Sequence, residues 1–273
     1  MFEARRSTSW IGSAGGVLGL IFHNTVRSVR KTHANAFMAI GLNIFQTVIL
    51  VVSFYVLFTV LGIRGAAIRG DFILFIMSGI FLYMVHVRTV QAVFSTEGPS
   101  SPMMLHAPMT TFVAIASNAL AALYTQILSV ILVLYAYHVI FQPIAIHNWK
   151  GALAMMCLAW FSGVAVGVLF LGLKPWFPSA ASTGQSIYSR VSMIASGKMF
   201  VANQMPGYMI DWFDWNPLFH VIDQTRGFVF INYFPHYSNV TYPLYISLAL
   251  MMIGLMGEFF TRQNASISWG ARR

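Results

Sequence analysis

Three long stretches, Ala36–Leu61, Phe112–Phe141 and Gly151–Leu173, contain no Asp, Glu, Lys or Arg at all. A run of about 20 apolar residues is what a helix needs to cross a bilayer. Two further runs, Phe72–Phe94 and Pro243–Phe260, are nearly as apolar, carrying Arg88 and Glu258 respectively. The whole chain supports this reading, since only 8% of its 273 residues are charged. Soluble domains carry roughly 25%, so an ordinary water-facing surface cannot be built from this composition. The expected fold class is an all-α integral membrane protein, and a soluble enzyme is excluded.

The remaining expected span, span five at Gly184–Met205, is unlike the others because it holds Gln185, Tyr188, Arg190 and Lys198. Charges in mid-membrane cost about 2.5–3.5 kcal/mol each on insertion scales. Arg190, Ile194 and Lys198 are spaced i, i+4, i+8, so a continuous helix sets both charges on one stripe facing a polar lumen. Span four ends at Lys174-Pro175-Trp176-Phe177-Pro178 and contains Gly163 and Gly167, whose spacing lets helix backbones approach closely.

Ahead of the spans, Trp10–Lys31 reads as an interfacial helix. Its apolar residues Ile11, Leu18, Ile21, Phe22, Val26 and Val29 share a face, and Arg27, Arg30 and Lys31 lie at its far end. A signal peptide is disfavoured by glycine interruptions and by His23-Asn24 where a small-residue cleavage site belongs.

Between spans two and three, Ser95–Thr111 is broken by Pro99, Pro102 and Pro108. Pro206–Tyr242 is too aromatic for an exposed loop and too charged for a span. Its acids Asp211, Asp214 and Asp223, with Arg226 and Pro217, suit a re-entrant hairpin of two half-helices broken near Asn216-Pro217. The chain thus divides into an N-terminal interfacial region (1–35), spans one to five (36–205), the hairpin (206–242), and the last span with its tail (243–273).

Basic residues orient membrane proteins toward the cytoplasm. With both termini inside, eleven of the 16 Lys and Arg fall at inner positions, four at outer ones, and Lys198 lies within span five. They form no massed patch, so no nucleic-acid partner is expected. The lone Cys157 sits in an apolar run and is expected to be a small buried hydrophobe. Two local pairs are expected as well, Asp223 with Arg226 and Glu258 with Arg262. Nothing in the chain resembles a P-loop. Ser196-Gly197-Lys198-Met199 lacks both the upstream glycine and the Ser/Thr, and the eight histidines are scattered. No catalytic set, metal site or cofactor is expected in this chain.

The string Asp214-Trp215-Asn216-Pro217-Leu218-Phe219-His220-Val221-Ile222-Asp223, followed by Thr225-Arg226 and Tyr233, resembles the membrane permease of type-2 ABC exporters. The resemblance is to the branch that exports capsular polysaccharide or O-antigen. Ser196-Gly197-Lys198-Met199-Phe200 and Met205-Pro206 are similar to that family's approach to the same string, and Phe260-Thr261-Arg262 to its exit.

The resemblance implies a pair of permease copies in a bacterial inner membrane, moving a lipid-linked polysaccharide with ATP consumed on a separate ABC ATPase subunit. It implies ATPase coupling through Glu97, Pro99, Pro102, His106 and Pro108. It implies a hairpin built on Asn216, Pro217, His220 and Asp223. The candidate pathway residues are Arg88, Arg190, Lys198, Trp212, Trp215 and Arg226, where aromatic faces stack on sugars and cations meet anionic sugars or lipid phosphate. Two other readings stand beside it. One is a permease for another amphipathic cargo. The other is a non-transporting membrane scaffold that keeps the permease fold, suggested by a coupling loop whose charge is Glu97 alone with His106.

Overall fold

Apolar side chains give little net drive for helix association in lipid, so close backbone approach and polar side-chain bonds have to set the packing. The computed structural model describes residues 10–31, 36–62, 71–97 and 110–264. It is about 80% helical, with no strand among the described residues. The helices are α1 (Trp10–Lys31), α2 (Ala36–Val60), α3 (Phe72–Phe94), α4 (Thr111–Ile140), α5 (Trp149–Leu173), α6 (Pro178–Ala195), α7 (Gly207–Ile210), α8 (Pro217–Val229) and α9 (Thr241–Asn264).

Polar residues in the linkers start these helices. Asp71 accepts from the Ile73 amide (2.9 Å), Thr110 from Val113 (3.3 Å) and Asn148 from Gly151 (3.0 Å), each satisfying a first-turn donor. Asp71 also accepts from the Tyr137 hydroxyl (2.7 Å), tying the start of α3 to the end of α4.

Five helices, α2, α3, α4, α5 and α9, are long and apolar enough to cross a membrane, and the chain is a multi-pass membrane protein. They are not equivalent. In its most apolar window α3 is 83% buried and α5 61%, against 22% for α2, 28% for α4 and 17% for α9. So α3 and α5 form the centre, and α2, α4 and α9 turn apolar faces outward. The pair α3 and α5 is joined at Gly163 and Gly167. A Cβ on Gly163 would lie 2.7 Å from the His86 carbonyl oxygen, and one on Gly167 2.7 Å from Val93 Cβ. The glycine pair therefore serves packing within the chain. On the other side of α5, a Cβ on Gly254 of α9 would lie 2.8 Å from the Leu169 nitrogen.

The helix expected over Gly184–Met205 is displaced. It begins at Pro178, which suits a first-turn position where no amide is needed, and ends at Ala195. Gly197 follows with φ +66°, a left-handed conformation that glycine adopts without strain. The apolar residues Met199–Val201 beyond it lie in irregular backbone, then a 3-10 turn at Ala202–Gln204. At 18 residues α6 is not among the five apolar spans. Lys198 thus lies outside the helix, and the shared stripe with Arg190 does not form: Arg190 is exposed on α6, whereas Lys198 is buried.

Three smaller expectations are also corrected. Cys157 faces outward from α5. Glu258 Oε1 is buried without a partner and forms no pair with Arg262. Asp223 and Arg226, three residues apart on α8, bond elsewhere.

Candidate functional site

The string from Asp214 to Asp223 builds a cap over one end of the bundle, where α3 and α5 begin. Asn216 accepts from the Leu218 amide (3.0 Å) and Pro217 fills the first turn, so the two residues together start α8. One face of α8 carries Leu218, Phe219, Val221 and Ile222, all at most 1% exposed. The far end of α8 is fixed by backbone bonds from His147 to the Val229 carbonyl (3.2 Å) and from Asn148 to that of Phe228 (2.8 Å).

Arg226 holds the cap to the segment after α6. Its guanidinium donates to the carbonyls of Gly197 (3.2 Å), Lys198 (2.7 Å) and Phe200, and lies over the Phe75 ring of α3 at 4.2 Å. Three carbonyls of irregular backbone thus share one planar cation, and that of Gly197 also accepts from the Phe200 amide (3.1 Å). Asp223 accepts from the Tyr233 hydroxyl and from Ser238 (2.7 Å). These bonds close the turn leading to α9. Burial, and then the neighbouring Asp223 carboxylate, push the Tyr233 phenol well above its usual range, so it remains a donor.

His220 sits between Asp214 and Asn239. The Asn239 amide donates to Nδ1 (3.3 Å), so Nε2 carries the proton and faces both the carbonyl (2.8 Å) and the carboxylate (2.9 Å) of Asp214. On the opposite side of the turn, Asn203 donates to the Phe234 carbonyl (2.7 Å) and accepts from the His236 amide (3.2 Å).

Lys198 is held differently. Its Nζ lies 3.5 Å from the centre of the Tyr83 ring and 4.9 Å from that of Phe54, and has no hydrogen-bond partner. Among the described residues the buried amino group thus meets aromatic faces alone.

Of the expected pathway residues, Lys198 and Arg226 come together in the cap, Trp212 and Trp215 stand exposed on its surface, and Arg190 is exposed on α6. Arg88 is apart from these. It lies in the second half of α3, donates to Gln46 of α2, and lines a cavity of about 450 Å³ among α1, α2, α3 and α4. Among the coupling residues, Glu97 is half-buried just after α3. Pro99, Pro102, His106 and Pro108 lie outside the described residues.

Sequence reasoning missed a polar junction at the centre of the bundle. His86 of α3 meets Ser162 of α5 (2.9 Å) and the Tyr188 hydroxyl of α6 (2.8 Å), and Tyr83 donates to the Ser189 carbonyl (3.3 Å). A histidine inside an apolar span was the available signal. A second network joins Gln126 to Asn43 (3.1 Å) and Asn43 to Ser129 (2.7 Å), linking α2 to α4.

The cap is a closed polar assembly on an apolar bundle, with one cation bonded through both terminal nitrogens to three carbonyls and another, Lys198, whose Nζ has no hydrogen-bond partner among the described residues. Such a site can hold a conformation or release it. No protein-family model matches the chain, and no curated protein matches it either.

Proposed function

We propose that this chain is the permease subunit of an ABC exporter that moves a polysaccharide or lipid-linked glycan across a bacterial inner membrane. Two copies would face each other around a pathway, with both termini cytoplasmic and α6 as a short sixth span. The segment 206–242 would act as the re-entrant hairpin closing the far end. ATP would be consumed by a separate ATPase subunit docked near Glu97 and the proline-rich segment that follows.

One observation carries the reading. The string through which the sequence resembles these permeases folds as one unit, with Asn216 and Pro217 starting a buried helix over the ends of α3 and α5 just before the last span. The exposed Trp212, Trp215 and Arg190 are the surfaces we assign to cargo. The Lys198 side chain could leave the Tyr83 and Phe54 rings without breaking a hydrogen bond of its Nζ, while the Arg226 side chain would have to give up three.

A second reading, a membrane scaffold that retains the fold, has one observation in its favour. Both Lys198 and Arg226 are sealed inside the single chain, at 3% and 1% exposure. Purification of the chain in mild detergent from its native membrane, with mass identification of what accompanies it, separates the two. The exporter reading expects a P-loop ATPase in roughly equal amount. A stable assembly with unrelated membrane proteins and no ATPase would overturn it and support the scaffold.

A further inference from the structure

We propose that the cavity among α1, α2, α3 and α4 is a resident site for the phosphate headgroup of an anionic membrane lipid. The inference is independent of the transport reading, and it assigns Arg88 to a bound lipid instead of to the path of a cargo.

The first observation is chemical. Among the described residues the cavity, about 450 Å³, holds one cation, Arg88, surrounded by uncharged amides: Gln46, Gln91, Asn118, Asn43 and Gln126. No Asp or Glu among the described residues lines it. Among the described residues the Arg88 guanidinium donates to Gln46 alone, leaving most of its five donors unused. Its planar fork matches two oxygens of a phosphodiester, and amide side chains supply further donors. A charge carried on a membrane helix calls for a counter-charge, and among the described residues none lines this cavity. A choline or other ammonium group would meet no counter-charge in this cavity.

The second observation selects a lipid over a free ion. An apolar groove of about 580 Å³ runs between α1 and α4, walled by Phe22, Val26, Leu120, Leu123, Tyr124 and Ile127. Val29 of α1 lines both the groove and the polar cavity. A polar chamber adjoining an apolar channel matches an amphiphile with its headgroup beside Arg88 and an acyl chain along α1. Inorganic phosphate would have no use for the channel. The contact of α1 with α4, through Ser28 to Asn118 (2.7 Å) and Ser117 to the Ile21 carbonyl (3.2 Å), keeps the two spaces side by side.

The test is native mass spectrometry of the full chain in detergent, titrated with dioleoylphosphatidylglycerol, dioleoylphosphatidylcholine or inorganic phosphate. One phosphatidylglycerol per chain is expected to bind more tightly than phosphatidylcholine. Arg88→Gln should weaken it about tenfold or more, the loss expected when a charged hydrogen-bonding partner is removed. Ala122→Leu, which narrows the same cavity without touching the charge, should weaken it as well. That second variant decides the matter if Arg88→Gln does not fold, as judged by gel filtration. The proposal is overturned if the wild-type chain retains no phosphatidylglycerol, or if Ala122→Leu binds it as tightly as wild type. It is also overturned if inorganic phosphate at equal concentration displaces the lipid.

Discussion

The cap and the bundle beneath it are assembled by opposite means. The centre of the bundle is a contact of backbones, α3 against α5 and α5 against α9, made possible by the missing side chains of Gly163, Gly167 and Gly254. The cap is a contact of side chains with backbone, in which Arg226 collects three carbonyls and Asp223 closes the turn to α9. Helices satisfy their own amides and need only come close. Irregular segments at Gly197–Phe200 and Phe230–Val240 cannot do so, and borrow donors and acceptors from long side chains. The bundle is therefore expected to be sensitive to volume and the cap to charge and hydrogen bonding.

The largest expected effect falls on the cap. Arg226→Ala removes three side-chain hydrogen bonds to carbonyls and the cation over Phe75 in one step, leaving the Gly197 carbonyl with the Phe200 amide alone. Breaking a buried polar assembly by deleting one partner costs about 3–5 kcal/mol. The purified protein should unfold at a markedly lower temperature, read by tryptophan fluorescence in detergent. Proteolysis should then cut first between Ser196 and Pro206. A cap that tolerates this change would mean that packing on α8, not Arg226, holds the segment.

Next comes the bundle. Gly163→Val drives a branched side chain against the His86 carbonyl, where even a Cβ would be 2.7 Å away. Overpacking of this kind costs about 1–3 kcal/mol. Gly41→Val is the control, because nothing lies within 4 Å of a Cβ there. Equal stability of the two variants would show that α3 and α5 can part without loss, and the contrast with the cap would fail.

The same contrast explains what the sequence could tell. The bounds of α3, Phe72–Phe94, were readable because hydropathy stops at Asp71 and Ser95, polar residues that also cap the helix. The glycine pair in α5 announced a close approach without saying to what. The end of α6 was hidden, since Met199, Phe200 and Val201 keep the segment apolar after the helix has stopped at Ala195. Within the cap, the i, i+3 spacing of Asp223 and Arg226 suggested a pair. The partners that won are a tyrosine, a serine and three carbonyls, which only the folded chain brings near. Local spacing reveals faces of helices, whereas irregular backbone claims its partners across the fold.

Lys198 tests the comparison at its finest point, because it is the cation of the cap that behaves like the bundle. It is buried against Tyr83 and Phe54 and has no hydrogen bond to lose. Lys198→Met keeps the length and apolar stem while removing the charge. The lost cation–π attraction, about 0.5–2 kcal/mol, is offset by relief of a desolvated ammonium. The unfolding temperature should therefore stay within a few degrees of wild type or rise, in contrast to Arg226→Ala. A large drop would mean that Lys198 has a polar partner in the assembled protein, and the cap would then be uniformly built on hydrogen bonds. With the fold intact, the variant also isolates function: under the exporter reading, glycan export from cells carrying Lys198→Met should fall while the amount of membrane-inserted protein is unchanged. Undiminished export would remove Lys198 from the pathway and leave the ammonium as a feature of packing alone.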